Sequence, residues 1–105
     1  MNEKDRKKIF SLIEWRKGLE CINGMEDYYW EPLTTLLTKN EDDTIGFLRE
    51  CSDEQIYWIS EVFEDISDKF QSKRFLEFLK ELQYKHSNID IKQDLQAAEY
   101  RLAEE

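Results

Sequence analysis

The sequence is poor in the residues that break helices and form tight turns. Its 105 residues include only three glycines and one proline. An all-β fold with many hairpins needs more of these residues at its turns, so the composition favours helices. A chain of this length builds one hydrophobic core rather than two. We therefore predict that residues 1–105 form a single all-α domain.

Cysteine and long apolar runs are scarce as well, which bears on the compartment. The two cysteines, Cys21 and Cys51, lack the CxxC spacing of redox and zinc sites. We expect both thiols to be buried packing groups in a reducing compartment, rather than a disulfide or a metal pair. The sequence shows no secretory leader pattern, and no apolar run approaches the roughly 18 residues that span a bilayer. We therefore expect a cytoplasmic protein that does not associate with membranes.

Sequence motifs of catalysis and of cofactor or metal binding are also missing. There is no HExxH, GxxxxGK[ST] or GxGxxG motif, and the single histidine, His86, is expected to lie at a helix end. The acids after Asn40 lack the D-x-[DN]-x-[DN]-G pattern of a calcium loop and its distal glutamate. We therefore predict no catalytic residue, no cofactor and no metal site, with a small hydrolase as an alternative class.

Negative charge is concentrated in one part of the chain. The formal net charge is -9, and residues 41–68, which we call the acidic segment, contain ten acids and one base. This segment alone accounts for the net charge. A field of this sign repels nucleic-acid phosphates and anionic lipids and attracts basic partners. The ten acids are Glu41, Asp42, Asp43, Glu50, Asp53, Glu54, Glu61, Glu64, Asp65 and Asp68.

Capping and turn signals divide the chain into about five helices. Because the connections between them are short, consecutive helices are expected to pack as antiparallel neighbours. The signals are Asn2 or Asp5, the turn Asn23-Gly24 followed by Pro32 in a first helical turn, Asn40, Ser52 with Gln55, Ser72, and Asp90 with Gln93.

Residues 52–70, SDEQIYWISEVFEDISDKF, are predicted to form one helix with two unlike sides. Like charges four residues apart, such as Glu61 with Asp65, destabilise an isolated helix by a few tenths of a kcal/mol each. Stability alone therefore does not explain the acids, although a solvated surface is the alternative to a binding face. The apolar side comprises Ile56, Ile59, Val62, Phe63, Ile66 and Phe70; Tyr57, Glu61, Glu64, Asp65 and Asp68 lie opposite, with Trp58 at the border.

The start of the chain is basic. Its four bases alternate with acids and lack the aromatic or glycine-rich platform of nucleic-acid-binding proteins. We interpret them as a solvated helix end that is free to pair with the acidic segment in the fold. These bases are Lys4, Arg6, Lys7 and Lys8.

Aromatic residues cluster after the first turn signal. Tyr28, Tyr29 and Trp30 fit a recognition patch, because such side chains are enriched in binding hot spots. They fit equally well as aromatic packing where a loop meets the core. Surplus aromatics such as Trp15 and Trp30 also leave room for a self-interface, so we expect a monomer or a weak homodimer.

The segment SDEQIYWISEVFEDISDKFQSKRFLEFLKEL resembles a family of small immunity proteins from bacterial polymorphic-toxin and contact-dependent growth inhibition systems. The similarity lies in Trp58 to Phe63, the acids that follow, Gln71-Ser72-Lys73 before an aromatic, and a late acid-rich helix like DIKQDLQAAEYRL. It covers roughly the C-terminal half of the chain. The resemblance implies a protein that binds a cognate toxin domain, commonly a nuclease, and blocks its active site or its substrate surface.

We therefore predict an immunity protein that binds a basic toxin nuclease through an acidic helix face and does not itself bind nucleic acid. The alternative is an acidic helical adaptor or regulatory protein that binds another basic protein. The predicted contact residues are Tyr57, Glu61, Glu64, Asp65 and Asp68, with Trp58 as an anchor and Asp42, Asp43, Asp53 and Glu54 as a steering rim.

Overall fold

The computed structural model describes residues 1–103, which form helices and short connections without a strand. The all-α prediction is confirmed. The α-helices are α1 (Glu3–Lys17), α2 (Glu26–Leu37), α3 (Glu41–Glu50), α4 (Asp53–Ile59), α5 (Phe63–Phe70), α6 (Lys73–Lys85) and α7 (Lys92–Tyr100). A 3-10 turn at Ser60–Val62 joins α4 to α5. If these three elements count as one interrupted helix, this part of the chain has six helices, close to the five predicted.

Four helices begin at the capping residues predicted from the sequence. The side chains of Asn2, Asn40, Ser52 and Ser72 each accept a hydrogen bond from the backbone N–H three residues later. At α4 the Gln55 side chain returns the bond by accepting from the Ser52 N–H at 2.9 Å, which completes the predicted capping box. Replacing such a cap by alanine typically costs about 1 kcal/mol.

Two predicted helix starts are wrong. Pro32 lies in the middle of α2, which begins six residues earlier, directly after a turn in which Gly24 has a φ of +83°. The fully buried Tyr29 and Leu33 flank the proline and anchor this helix in the core despite the lost N–H donor. Asp90 does not cap α7 with Gln93; its Oδ1 accepts from the N–H of Lys92 at 3.1 Å, which ties the carboxylate into the preceding turn.

The prediction of a single continuous helix over residues 52–70 is also wrong. The 3-10 turn at Ser60–Val62 interrupts it. A 3-10 helix rotates roughly 20° more per residue than an α-helix, so the residues after the turn no longer follow the directions expected from one α-helix. The predicted apolar side is nevertheless buried: Ile56, Ile59, Val62, Phe63 and Ile66 are fully buried, and Phe70 is half-buried.

The core receives buried side chains from all seven α-helices and from the 3-10 turn. The most extensive contact joins α5 to α7, and the buried Ser67 Oγ donates to the carbonyl of Ala98 at 2.7 Å across it. That consecutive helices run antiparallel stays a prediction. The largest fully buried side chains are Tyr29, Phe63, Phe75, Ile9, Leu33 and Leu37.

The two cysteines differ in exposure. Cys51 is buried, as predicted, and burial raises the pKa of its thiol to about 12. Cys21 is exposed in the connection between α1 and α2, so the expectation that both thiols are buried is wrong for this residue. Its position after the end of α1 at Lys17 places it on a surface connection rather than in a helical stripe.

Candidate partner-binding surface

Most carboxylates of the acidic segment are paired with bases from elsewhere in the chain. Nine of its ten acids lie within 4.0 Å of a basic group. The bases come from α1, from both ends of α6 and from the residue after α7. The acidic segment is therefore not one uncompensated negative field. The partners are Met1 (amino group), Arg6, Arg16, Lys17, Arg74, His86 and Arg101.

Glu61 is the most firmly held of these acids. Arg16 Nε donates to its Oε1 at 2.9 Å, and Arg16 Nη2 donates to its Oε2 at 2.8 Å. The indole of Trp30 donates to the same carboxylate at 3.3 Å. Arg16 is only 8% exposed, and the hydrogen bonds to Glu61 raise the pKa of its guanidinium. Glu61 therefore ties the 3-10 turn to α1 and α2.

Tyr57 and Trp58 border this ion pair. The Arg16 guanidinium lies 4.9 Å from the centre of the half-buried Trp58 ring, a distance suited to a cation–π contact. Tyr57 packs edge-on against Trp58, with ring centres 5.0 Å apart, and is 46% exposed. Tyr57 is the more exposed residue of this predicted pair and therefore the one more open to a partner.

The predicted steering rim is divided between two places. Asp42 pairs with Arg74 at the start of α6, and Asp43 lies 3.3 Å from the Met1 amino group. Asp53 contacts His86 and Glu54 contacts Lys17, at the ends of α6 and α1 respectively. These four acids therefore belong to the first turns of two different helices, α3 and α4, and each is paired with a base.

His86 lies at the helix end predicted for it, following the last residue of α6. Its buried ring contacts Asp53 through Nδ1, and this hydrogen bond is the main cause that lowers the pKa of Asp53, assisted by Asn88. Asp53 therefore links the start of α4 to the end of α6.

The three acids of α5 differ among themselves. Glu64 accepts from Arg101 Nε at 2.7 Å, and Asp68 lies 4.0 Å from Arg101 Nη1. Asp65 is exposed and has no ion-pair partner within the described residues. Partial desolvation, followed by the proximity of Glu64, raises the pKa of Asp65.

A groove between α2 and α5 collects carboxylates from both helices. It has a volume of about 390 Å³ and is lined by five acids, by the indole of Trp30 and by one base, Lys69. We call it the acidic groove. Among residues 1–103, no base lies within ion-pair distance of any of its acids except Asp68. The five acids are Glu26, Asp27 and Glu31 from α2, and Asp65 and Asp68 from α5.

The three acids from α2 were missed at the sequence level. Glu26 and Asp27 occupy the first helical turn, and Glu31 follows four residues after Asp27 on the same helix side. This spacing was visible in the sequence, but the misplaced helix start at Pro32 put these residues in a loop. That α5 packs beside α2 is a tertiary contact that helical periodicity does not reveal.

The exposed aromatic patch lies elsewhere on α2. Tyr29 is fully buried and donates to the carbonyl of Trp58 at 2.8 Å, whereas Tyr28 is 66% exposed and packs near Trp15. Packing in the core therefore accounts for Tyr29. Tyr28 and Trp15 remain open to solvent.

Two further findings concern what this part of the chain does not contain. Within residues 1–103, no helix is both long and apolar enough to cross a membrane, and no three His, Cys, Asp or Glu side chains are arranged to hold a metal ion.

Neither a protein-family model nor a curated protein nor a solved structure matches the chain. Its function has to be inferred from its own surface chemistry.

Proposed function

We propose that this protein is an immunity protein that binds a basic toxin domain, and that this toxin is a nuclease. Its acidic groove binds basic side chains of the toxin. The resemblance of residues 52–82 to small immunity proteins supplies the class. The observation that carries the proposal is the set of groove carboxylates, four of which have no ion-pair partner within the described residues.

The groove suits guanidinium and ammonium groups for physical reasons. Its carboxylates lie on two helices that pack against each other, so little backbone reorganisation is needed before a cation binds. Trp30 lines the groove, and its indole N–H donates to Glu61. In the proposed complex the Trp30 ring contacts a bound Arg or Lys. Acids grouped in this way accelerate the approach of a basic surface.

This proposal changes the predicted contact set. Asp65 and Asp68 stay in it, joined by Glu26, Asp27 and Glu31, with the exposed Tyr57 as a peripheral contact. Glu61 is proposed to position Trp30 rather than to meet the toxin. Cytoplasmic location follows from the same proposal, because an immunity protein must meet the toxin where the toxin acts.

The first experiment tests the class of function. The neighbouring reading frames should encode a toxin domain that co-purifies with this protein and whose toxicity its co-expression suppresses. If the neighbouring product neither binds nor harms cells, the immunity proposal fails.

The second experiment tests the groove. Replacing Asp27, Glu31 and Asp65 by their amides should weaken toxin binding about tenfold or more, mostly through a slower association rate. The matched control, Glu3→Gln with Glu77→Gln and Glu81→Gln, removes the same charge from exposed positions that do not line the groove. Equal weakening by both triple variants would mean that overall charge, not the groove, drives association.

A further inference from the structure

A second groove, of opposite charge, lies between α1 and α2. It has a volume of about 550 Å³ and is mostly apolar, with Leu12 from α1 and Pro32 and Leu36 from α2 among its lining residues. We call it the lysine-rimmed groove. Three lysines of α1, Lys4, Lys7 and Lys8, also line it.

These lysines are not used inside the described structure. No carboxylate of residues 1–103 lies within 4.0 Å of Lys4, Lys7 or Lys8, whereas Arg6 of the same helix pairs with Glu50 at 3.2 Å. Of the four bases named at the start of the chain, only Arg6 therefore pairs with the acidic segment, and the Met1 amino group adds a pair with Asp43. Other bases of residues 1–103 are also unpaired, but these three are neighbours on one helix and border one apolar groove.

Helix stability does not explain the lysine arrangement. Lys4 precedes Lys7 by three positions and Lys8 by four, so their side chains neighbour one another along α1. Like charges at these spacings destabilise a helix rather than stabilise it. The same turns carry Leu12 toward the groove lining, which places positive charge directly beside apolar surface.

We propose that the lysine-rimmed groove binds an acidic amphipathic helix of a partner protein. Charge complementarity selects this occupant: apolar side chains meet Leu12, Pro32 and Leu36, while flanking carboxylates meet the three lysines. The lining residues of α1 extend from Lys4 to Leu12, about 12 Å along the helix axis, which matches two turns of a bound helix.

Other occupants fit the groove less well. Nucleic acid offers no apolar side chain for the apolar lining, and three lysines contact few phosphates. Three lysines likewise supply little attraction to an anionic membrane. The proposal does not depend on the function proposed for the acidic groove, because the two grooves attract partners of opposite sign.

The test uses a synthetic peptide of about 16 residues, a length at which an isolated helix begins to form. Its leucines follow helical spacing on one side, and glutamates occupy the other positions. We expect saturable binding, with backbone amide NMR shifts confined to α1 and α2. Replacing the leucines by glutamine, or the glutamates by lysine, should abolish the binding.

Protein variants locate the site. Lys7→Glu with Lys8→Glu should weaken peptide binding about tenfold or more, and the milder Lys7→Gln with Lys8→Gln should weaken it less. The control, Lys73→Glu with Lys92→Glu, makes the same charge change at exposed lysines that do not line the groove and should leave binding unchanged. Circular dichroism verifies that each variant keeps its helices.

Several results would overturn the proposal. The peptide could fail to bind, or the control variant could lose as much peptide affinity as Lys7→Glu with Lys8→Glu. Equal binding of the original peptide and the peptide whose leucines are replaced by glutamine would mean that charge alone makes the contact. The protein could instead dimerise in a concentration-dependent way. If Lys7→Glu with Lys8→Glu removes that dimerisation, the groove binds a second copy of the chain. Binding to vesicles rich in phosphatidylserine that needs the same lysines would assign it to a lipid surface.

Discussion

Glu61 and Asp65 lie four residues apart in the acidic segment, yet they have different surroundings. Glu61 accepts two hydrogen bonds from a buried arginine and one from Trp30, and its side chain is 24% exposed. Asp65 is exposed on the acidic groove without an ion-pair partner in the described part of the chain. One carboxylate holds the fold together, and the other is open to a partner.

The difference shows that charge counted along the sequence does not equal charge presented to a partner. The segment's acids recruit bases from three other parts of the chain, and each such pair removes most of its field at a distance. In the acidic groove, the four acids without an ion-pair partner in the described residues come from two helices, and three of these acids lie outside the segment. Trp30 joins the two regions, because it contacts Glu61 and lines the groove.

Substitution of Glu61 should have the largest effect on stability. Glu61→Gln leaves the buried guanidinium of Arg16 without its charged partner, and we expect the free energy of unfolding to fall by about 2–3 kcal/mol. Urea denaturation followed by circular dichroism measures this change. The matched substitution Asp65→Asn should change stability by less than about 0.5 kcal/mol.

A double variant sharpens this first prediction. Replacing both Arg16 and Glu61 by methionine removes the pair without leaving a buried charge, so the double variant should be more stable than Glu61→Met alone. If Glu61→Gln and Asp65→Asn are equally well tolerated, the structural role assigned to Glu61 is wrong.

Removal of Arg101 should have an intermediate effect and shift the balance between the two regions. Arg101→Gln releases Glu64 and Asp68, which adds unpaired charge beside the acidic groove. Because both ion pairs are at the surface, the free energy of unfolding should fall only slightly. The association rate with a basic toxin domain should rise about two- to threefold at low ionic strength.

Stopped-flow measurements at two salt concentrations test the Arg101 prediction. The gain in association rate should shrink as salt increases, since the added attraction acts between exposed charges. Arg74→Gln, which releases Glu41 and Asp42 away from the groove, serves as the control. Equal gains from both variants would contradict a special role for the groove.

Local signals in the sequence were sufficient for much of the fold. Asn2, Asn40, Ser52 and Ser72 mark helix starts because a cap acts through residues only three positions away. Helical periodicity likewise identified the buried side of residues 52–70. Pro32 misled the prediction for α2, because tertiary packing of its neighbours outweighed a local preference.

The candidate surface was less predictable for a related reason. The pairing of Glu61 with Arg16 spans 45 positions, and the acidic groove depends on α2 lying beside α5. Neither contact leaves a mark in the composition or spacing of the acids. Asp65 and Asp68 were included in the predicted set because they lie opposite the predicted apolar side of residues 52–70. Glu26, Asp27 and Glu31 lie outside the acidic segment and before the predicted helix start at Pro32, so they were left out.

The smallest predicted effect concerns the pH dependence of the free energy of unfolding, and it has opposite signs for a paired and an unpaired acid. The hydrogen bond with His86 lowers the pKa of Asp53 in the folded state. Asp53 therefore stabilises the fold above its unfolded pKa of about 3.9, and this contribution is lost as pH falls through the folded pKa.

Partial desolvation raises the pKa of Asp65, so its ionisation costs stability as pH rises through that raised value. Relative to the unsubstituted chain, Asp53→Asn should therefore be less stable and Asp65→Asn slightly more stable at pH 6, and each difference should shrink as pH falls through the folded pKa of its carboxyl. Urea denaturation at several pH values from 6 downward measures the two curves, which should converge from opposite sides. Curves that stay parallel would mean that the two carboxylates do not differ in the way the structure indicates.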